Sequence, residues 1–311
     1  MKYTLLINPI AGNGIAKRAA HELKNVLVQN DLYGQEFFSK YPGQLKLLSR
    51  KLADQKLSDQ HLIIVGGDGS FNEALTGIKN SQHSETALAF FPAGTGNDFA
   101  RAAKLPKIVQ DYYQQILKTP QIVATYCGQY HILSEDTQRI GYFINNFGIG
   151  SDAFIVHKSN HSKLKPVLNK LKMGNLIYGS NIIKALKQVQ PFAITAVHHQ
   201  QHYHFDHSYL VTTTNHPFFG GGVALLPPAN IHDGKLHCVV VEEVETRKFI
   251  HLFAKLLKDG PHVSDPHFHD ISGTELEVKV AAPEYAQIDG EDQEKECFHV
   301  KFKKTTFNLI H

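Results

Sequence analysis

The sequence predicts an α/β domain with a parallel sheet, followed by a half built mostly from antiparallel strands. Three observations carry this. Up to about residue 122, short apolar runs alternate with stretches of helical periodicity. Three of those runs stop at glycine-rich breaks, at 8–14, 66–70 and 92–98. Beyond residue 122 the alternation gives way to β-rich runs separated by long, turn-rich gaps. Strands alternating with helices indicate βαβ units, whereas strands in succession indicate antiparallel sheet.

Taken in order, residues 3–7 (YTLLI) form an apolar run that ends at Asn8-Pro9, and helical spacing follows through Ala19, Leu23, Val26 and Leu27. Glu36-Phe37-Phe38 precedes a second helical stretch with Leu45, Leu48 and Leu52. Leu62-Ile63-Ile64-Val65 is continuous, as a strand buried on both faces should be. It breaks at Gly66-Gly67-Asp68-Gly69, after which Phe71, Ala74, Leu75 and Ile78 recur at helical spacing. Residues 87–91 form another buried strand, broken over 92–96, with a helix expected from Asn97. The later β-rich runs are 142–144, 209–213, 236–241 and 276–280.

Composition sets the class. The chain has 311 residues, 42% hydrophobic and 20% charged, which is ordinary for a packed protein and excludes a disordered tail or a coiled coil. At this length about three quarters of the unfolded surface is buried on folding, so no covalent staples are needed. Cys127, Cys238 and Cys297 lie far apart with no CxxC, which argues against a disulfide framework or a thiolate zinc site and for packing roles in a reducing compartment. A net charge of +3 is too small to imply nucleic acid. No run approaches the roughly 18 apolar residues of a spanning helix. MKYTLLINPIAG lacks the apolar core of a signal peptide and reads as a first strand. The expectation is a cytoplasmic protein whose membrane contact is peripheral.

In a parallel sheet the three glycine-rich breaks fall along one edge, where open α/β sheets bind ligands. Glycines there let backbone N–H groups approach a phosphate, and the following helix adds its positive end. None of the breaks reads GxxxxGK[ST], and none is GxGxxG with an acid about 20 residues on, so neither a P-loop NTPase nor a dinucleotide fold is indicated. Asp68 inside the second break would repel a phosphate unless a cation lay between them, which points to Mg²⁺.

The segments INPIAGNG (7–14), VGGDGSFNEAL (65–75) and FPAGTGNDFAR (91–101) resemble the catalytic-domain motifs of the diacylglycerol kinase family, nearest to the soluble bacterial lipid kinases. PPANIHDGKL (227–236) and IDGE (288–291) agree, and all occur in the family's order. The resemblance implies a three-layer α/β nucleotide domain of the NAD kinase and phosphofructokinase type, followed by a β-sandwich. It places the first domain at 1–122, with residues from about 300 to 311 returning to it, and the lipid-binding sandwich at 123–299. It also implies ATP- and Mg²⁺-dependent phosphorylation of a lipid hydroxyl, with diacylglycerol the foremost acceptor and phosphatidic acid the product.

Carried over by residue, the implied ATP contacts are Asn8, Pro9, Ile10, Ala11, Gly12, Ser39, Gly66, Gly67, Asp68, Gly69, Ser70, Phe71, Asn72 and Thr95. Ser39 and Ser70 stand where relatives often have Thr, and the hydroxyl is kept. Asn72 is expected to add an amide donor to the phosphates. Glu291 matches the family's proton acceptor, with Asp289 as its organiser or, with the roles exchanged, as the base itself. A second Mg²⁺ site in the sandwich matches Asn230, Asp233 and Lys235, with Asn230 and Lys235 acting through backbone carbonyls.

Other features have plainer readings. Asp98 is read either as part of the site or as the cap of the helix starting near Asn97, and Glu73 as an ordinary first-turn acid. The stretch 153–205 contains no Asp or Glu but carries Lys158, Lys163, Lys165, Lys170, Lys172, Lys184 and Lys187. With Leu164, Val167, Leu168 and Leu171 on one helical stripe, it predicts a basic helical insertion near 155–188. That insertion is either a solvated face or a patch for an anionic membrane surface. His198, His199, His202, His204 and His207 read as exposed histidines of a hairpin, and Gly220-Gly221-Gly222 as a turn or bulge between sandwich strands. No nucleic-acid partner is expected, and a homodimer is compatible with the sequence. Competing functions are an NAD kinase-like enzyme, which shares GGDG and the Asn72-Glu73 pair, and a non-catalytic lipid- or nucleotide-binding regulator. The acids at 68, 289 and 291 favour catalysis over the latter.

Overall fold

In the computed structural model, β1 (Lys2–Ile7) is buried along nearly its whole length and lies in parallel between β2 (Tyr33–Phe38) and β3 (Gln60–Gly66). β4 (Leu88–Pro92) extends the sheet beside β3, giving the order β2-β1-β3-β4. The structure describes residues 2–55, 60–133, 138–161, 190–245 and 260–311, with Lys248, Leu252, Lys255 and Leu256 from the stretch between the last two. Ile7 pairs with Val65 and Val65 with Phe91, so these strands end level and their glycine-rich exits share one edge.

The helices of this half are α1 (Ile15–Gln29), α2 (Gln44–Asp54), α3 (Asp68–Lys79) and the short α4 (Asp98–Ala102) and α5 (Val109–Tyr112). α1 buries Ala16, Ala19, Ala20, Leu23 and Leu27, the apolar stripe that its 3.6-residue period predicts. α3 buries Phe71, Ala74, Leu75 and Ile78 in the same way.

This burial corrects the motif-based expectation for Phe71. Its ring is 0% exposed and stacks on Phe90 at 4.6 Å and Phe99 at 5.1 Å. The helical period turns position 71 to the sheet while it turns 68 and 69 to the edge, so Phe71 belongs to the core and not to a nucleotide contact.

The second half comprises β5 (Ile122–Leu133), β6 (Gln138–Phe143), β7 (Asn146–Gly150), helix α6 (Ser151–His161), β8 (Phe192–His198), β9 (Gln201–Thr214), β10 (Phe218–Phe219), β11 (Val223–Ala224), β12 (Leu236–Glu242), β13 (Phe268–Gly273), β14 (Glu275–Val280), β15 (Glu284–Ile288), β16 (Glu291–Glu296) and β17 (His299–Ile310). All pairings within it are antiparallel, and the strands form a β-sandwich around Phe143, Phe147, Phe298, Phe302 and Val278. β8 and β9 form the histidine-bearing hairpin, turned by His199 and Gln200, both at positive φ.

β17 ties the halves together. Its first part pairs with β14, and its end reaches β4, where Leu309 lies beside Leu88 in parallel. Phe307 from this strand packs edge-on against Phe71 at 5.8 Å. Cys127 and Cys238 are buried as packing residues, whereas Cys297 is exposed, contrary to the expectation for all three. Apart from the residues in α6, the basic insertion expected near 155–188 lies outside the described residues.

Candidate active site

The three glycine-rich exits are bonded to one another before any ligand is considered. Asn8 Nδ2 donates to Ser70 Oγ at 2.9 Å, joining the first loop to the second. Ala93 N donates to Gly66 O at 2.6 Å, joining the second to the third. Gly12 sits at φ +59°, and a Cβ there would lie 2.2 Å from the Ala93 carbonyl oxygen, so only glycine lets the first loop close on the third. Within the third loop Asn97 takes a left-handed conformation and folds back, accepting from Gly94 N at 3.0 Å and donating to Gly94 O at 2.8 Å. The result is a rigid rim of main-chain groups.

A cleft of about 790 Å³ opens from this rim between the two halves of the molecule. Of the residues expected from the motifs, Asn8, Ile10, Ala11, Gly12, Ser39, Gly67, Asp68, Gly69, Ser70, Thr95, Asp289 and Glu291 line it. Pro9, Gly66, Phe71 and Asn72 do not line it. The far end of the cleft is apolar, with Ile155, Val156, Leu210, Leu225, Val241 and Phe268.

Asp68 stands at the start of α3 on the floor of the rim. Its Oδ2 accepts from Asp98 N at 3.0 Å, while Oδ1 is closed off from solvent with no hydrogen-bond partner among the described residues. Burial pushes its pKa up to about 6, with the nearby Asp98 charge adding to the rise and main-chain N–H groups opposing it. A buried carboxylate oxygen with no donor, in a residue lining the cleft, suits a hard divalent cation.

Asp98 does not cap α4. The N-cap is Asn97, and the Asp98 carboxylate reaches outward instead. It pairs with Arg101 Nη1 at 2.5 Å and accepts from Gly221 N at 2.8 Å. The triple-glycine run is thus the turn between β10 and β11, and that turn fastens the sandwich to the glycine-rich rim.

The IDGE turn faces the rim from the other side. Asp289, at φ +50°, turns its carboxyl inward. Oδ1 accepts from Asn145 N at 2.8 Å and Asn146 N at 3.0 Å, and Oδ2 accepts from Ile144 N at 2.9 Å and Asn72 Nδ2 at 2.5 Å. Burial raises its pKa to about 7 against the pull of these donors. Asn72 also donates to Tyr142 O at 2.7 Å. Its amide hydrogens are spent on the joint between the halves, which corrects the expectation that Asn72 would serve the phosphates.

Glu291 is the acid of the turn that stays open to the cleft. Its Oε1 lies 3.5 Å from where a Cβ on Gly69 would sit, directly across from the second loop. Partial burial raises its pKa, and the negative charges of Glu73 and Asp292 add to the rise. Glu73 has a local role as well: its carboxylate accepts from Gly43 N at 2.9 Å and Leu45 N at 3.2 Å, holding the start of α2.

The turn at 230–235 lies outside the cleft lining. Asn230 O accepts from Asp233 N at 3.1 Å, and Asp233 Oδ1 accepts from Lys235 N at 2.9 Å. Asp233 Oδ2 faces His237 Nε2 at 3.4 Å, and Asp270 lies 3.0 Å from the other ring nitrogen. Burial works against a charge on His237, but Asp270 and Asp233 outweigh it and raise its pKa. Both Asp233 oxygens are thus engaged, by Lys235 N and by His237, so the turn as folded does not fit the second Mg²⁺ expected at Asn230, Asp233 and Lys235.

Several residues in or behind the cleft lining carry no motif. His216 is fully buried, takes the Phe218 N–H on Nδ1 at 3.1 Å, and therefore donates from Nε2 to Asn145 Oδ1 at 2.8 Å. Burial, helped by the Arg101 charge, lowers its pKa from 6.5 to about 3. Between those two values the unfolded chain holds a proton that the folded chain refuses, so stability falls as pH falls below 6.5. His216→Gln supplies a side-chain amide donor and acceptor in place of the imidazole but cannot titrate. Urea midpoints at pH 7 and pH 5 should show the variant losing less stability than the parent by about 2 kcal/mol. An equal loss in both would exclude a buried neutral imidazole. Asn145, Asp152 and Gln287 also line the cleft, Gln287 through the pairing of β15 with β7, and no local pattern signals them.

Comparison with known proteins agrees with this architecture. Residues 2–127 match the family model "Diacylglycerol kinase catalytic domain", and residues 147–311 match "YegS C-terminal NAD kinase beta sandwich-like domain". The Bacillus subtilis (strain 168) protein named "Putative lipid kinase YtlR" is 31% identical over 76% of this chain and 76% of its own length. The Bacillus subtilis (strain 168) protein named "Diacylglycerol kinase" is 27% identical over 92% of this chain and 88% of its own. Among solved structures, "Crystal structure of a putative diacylglycerol kinase from Bacillus anthracis str. Sterne" superposes with a TM-score of 0.76 at 20% identity, covering 100% of this chain and 97% of that one. With a glycine rim, an acidic turn across the cleft and both family models in register with them, the chain belongs to the diacylglycerol kinase catalytic-domain family, in the branch with the NAD kinase-like β-sandwich.

Proposed function

We propose that this chain is an ATP- and Mg²⁺-dependent lipid kinase that transfers the γ-phosphoryl group to a lipid hydroxyl. Diacylglycerol, giving phosphatidic acid, is the first acceptor to assay. The observation that carries the reading is the placement of Glu291 across the cleft from Gly69, where one carboxylate faces the phosphate-binding rim. Family membership gives nucleotide use. The apolar far end of the same cleft favours a lipid acceptor over a wholly polar one.

Phosphoryl transfer needs positioning and charge neutralisation more than covalent help. Main-chain N–H groups of the three loops would hold the phosphates. Asp68 would hold Mg²⁺ through its free Oδ1, and the cation would neutralise developing phosphate charge. The acceptor oxygen bonds to the γ-phosphorus as the bridge to the β-phosphate breaks, and Glu291 takes the hydroxyl proton. A carboxylate with a raised pKa is better matched to that proton than an ordinary one. The proposed setting is the cytoplasm, with the enzyme acting at a bilayer surface; no helix among the described residues is long and apolar enough to cross a membrane.

The test is incorporation of radiolabel from ATP into a panel of lipid alcohols in mixed micelles, with NAD⁺ as a parallel acceptor. The expected result is Mg²⁺-dependent labelling of lipid that a chelator abolishes. Labelling of NAD⁺ and of no lipid would overturn the reading in favour of an NAD kinase-like enzyme.

A further inference from the structure

One residue of the cleft reaches both Asp68 and the IDGE turn, and no motif marks it. Asn145 lines the cleft, with its main chain fixed at both polar groups: N donates to Asp289 Oδ1 at 2.8 Å, and O accepts from Thr214 Oγ1 at 2.8 Å. The side-chain oxygen is fixed as well. His216 spends Nδ1 on the Phe218 N–H at 3.1 Å, which leaves Nε2 to donate, and it donates to Asn145 Oδ1 at 2.8 Å. His216 is 0% exposed, so a buried imidazole and not solvent decides which way the Asn145 amide faces.

What remains is Asn145 Nδ2, a donor. It lies close enough to Asp68 to pull that acid's pKa down against burial. No hydrogen bond is completed there: Asp68 Oδ1 has no partner among the described residues, and Oδ2 accepts from Asp98 N. Nδ2 itself, unlike Asp68 Oδ1, is not closed off from solvent. Asp68, Asp289 and Glu291 line the same cleft, and negative charge on them opposes an incoming phosphoryl group. A fixed donor beside them favours negative charge on a ligand. Charge spreads over the phosphoryl oxygens as transfer proceeds, and a donor already aimed there needs no reorganisation.

We propose that Asn145 Nδ2 donates a hydrogen bond to the phosphoryl group during its transfer from ATP, and that His216 is the positioning residue that aims it. The amide keeps both its protons and takes no part in the proton movement to Glu291. This rests on the kinase reading above and adds a side-chain donor from the second half of the chain to the main-chain N–H groups of the rim.

The test measures kcat for lipid labelling, affinity for ADP and thermal melting in the parent, Asn145→Ala, His216→Leu and His216→Gln. Asn145→Ala removes the donor and keeps both main-chain contacts, and it should lower kcat by about 10²–10³-fold, the worth of one such donor. ADP lacks the transferred group, so its affinity should stay close to the parent's. His216→Leu leaves Asn145 in place but frees the amide to turn, and kcat should fall about tenfold or more. His216→Gln supplies a donor for Asn145 Oδ1 again and should recover most of that loss. A kcat in Asn145→Ala within about threefold of the parent's overturns the proposal, as does a fall in kcat matched by an equal fall in ADP affinity, the mark of a purely structural role. If Asn145→Ala does not fold, the His216 pair decides, and equal kcat in the Leu and Gln variants overturns the proposal. In each of these cases a parent that labels lipid leaves the kinase reading standing. A parent that labels no acceptor overturns that reading, and the proposal with it.

Discussion

Replacing Glu291 with Gln is expected to lower kcat for lipid phosphorylation by about 10²–10⁴-fold, the usual worth of a positioned base. The substitution keeps size and polarity but removes the ability to accept a proton. Glu291 is open to the cleft and makes no side-chain hydrogen bond to the rim among the described residues, so nucleotide binding should survive, as fluorescence titration with an ATP analogue would check. The pH profile gives a second readout. The base works only when ionised, and burial with the Glu73 and Asp292 charges raises its pKa above the ordinary range for glutamate. The parent's kcat/KM should therefore fall as pH falls through that raised value. The Gln variant should lack this acidic limb. A variant with near-parental kcat, or one that retains the limb, removes Glu291 as base.

Asp289→Ala should cost about 3–5 kcal/mol of folding stability, since several buried donors lose their acceptor at once and each stranded donor costs about 1–3 kcal/mol. The substitution strands the N–H groups of Ile144, Asn145 and Asn146 and the amide of Asn72, all of which now donate to the two carboxylate oxygens. Position 289 also lies at φ +50°, where alanine is strained and asparagine is tolerated. Asp289→Asn separates the two contributions, because it relieves the strain but still leaves donors facing an amide NH₂. Urea unfolding should rank parent, Asn and Ala in falling order of midpoint. A loss below about 1 kcal/mol in the Ala variant would show that the joint contributes little. The same contacts argue that Asp289 is an organiser and not the base. Both of its oxygens are occupied by donors, which supports the proposed assignment of proton acceptance at this turn to Glu291.

The legible part of this protein is the part written at short range. Apolar runs that stop at glycine-rich breaks mark β1, β3 and β4 and place their exits on one edge, because parallel strands that end level must turn together. The stripe in α1 and the break before Asp68 needed only local periods. Where local reasoning failed, it treated a motif as a set of ligand contacts. Phe71 and Asn72 lie in the same segment as Asp68 and Gly69, but the helix turns Phe71 into the core and Asn72 toward Asp289. Of the two readings of Asp98, as part of the site or as a helix cap, the cap fails, and Asp98 lines the cleft. Its true partners, Arg101 and Gly221, include a residue from the other domain that no window around 98 contains.

By itself the sequence determined the order of strands and helices in the nucleotide half, the antiparallel character of the rest, and the three glycine exits with their acids at 68, 289 and 291. These depend on residue spacing and backbone conformational limits, which act over a few residues. Only the tertiary structure decided which of the two acids of the turn stays open to the cleft, which donors hold Asp289, and why Asp152 and His262 line the same cleft. Those outcomes depend on desolvation and hydrogen-bond geometry between segments far apart in the chain, brought together by strand pairing.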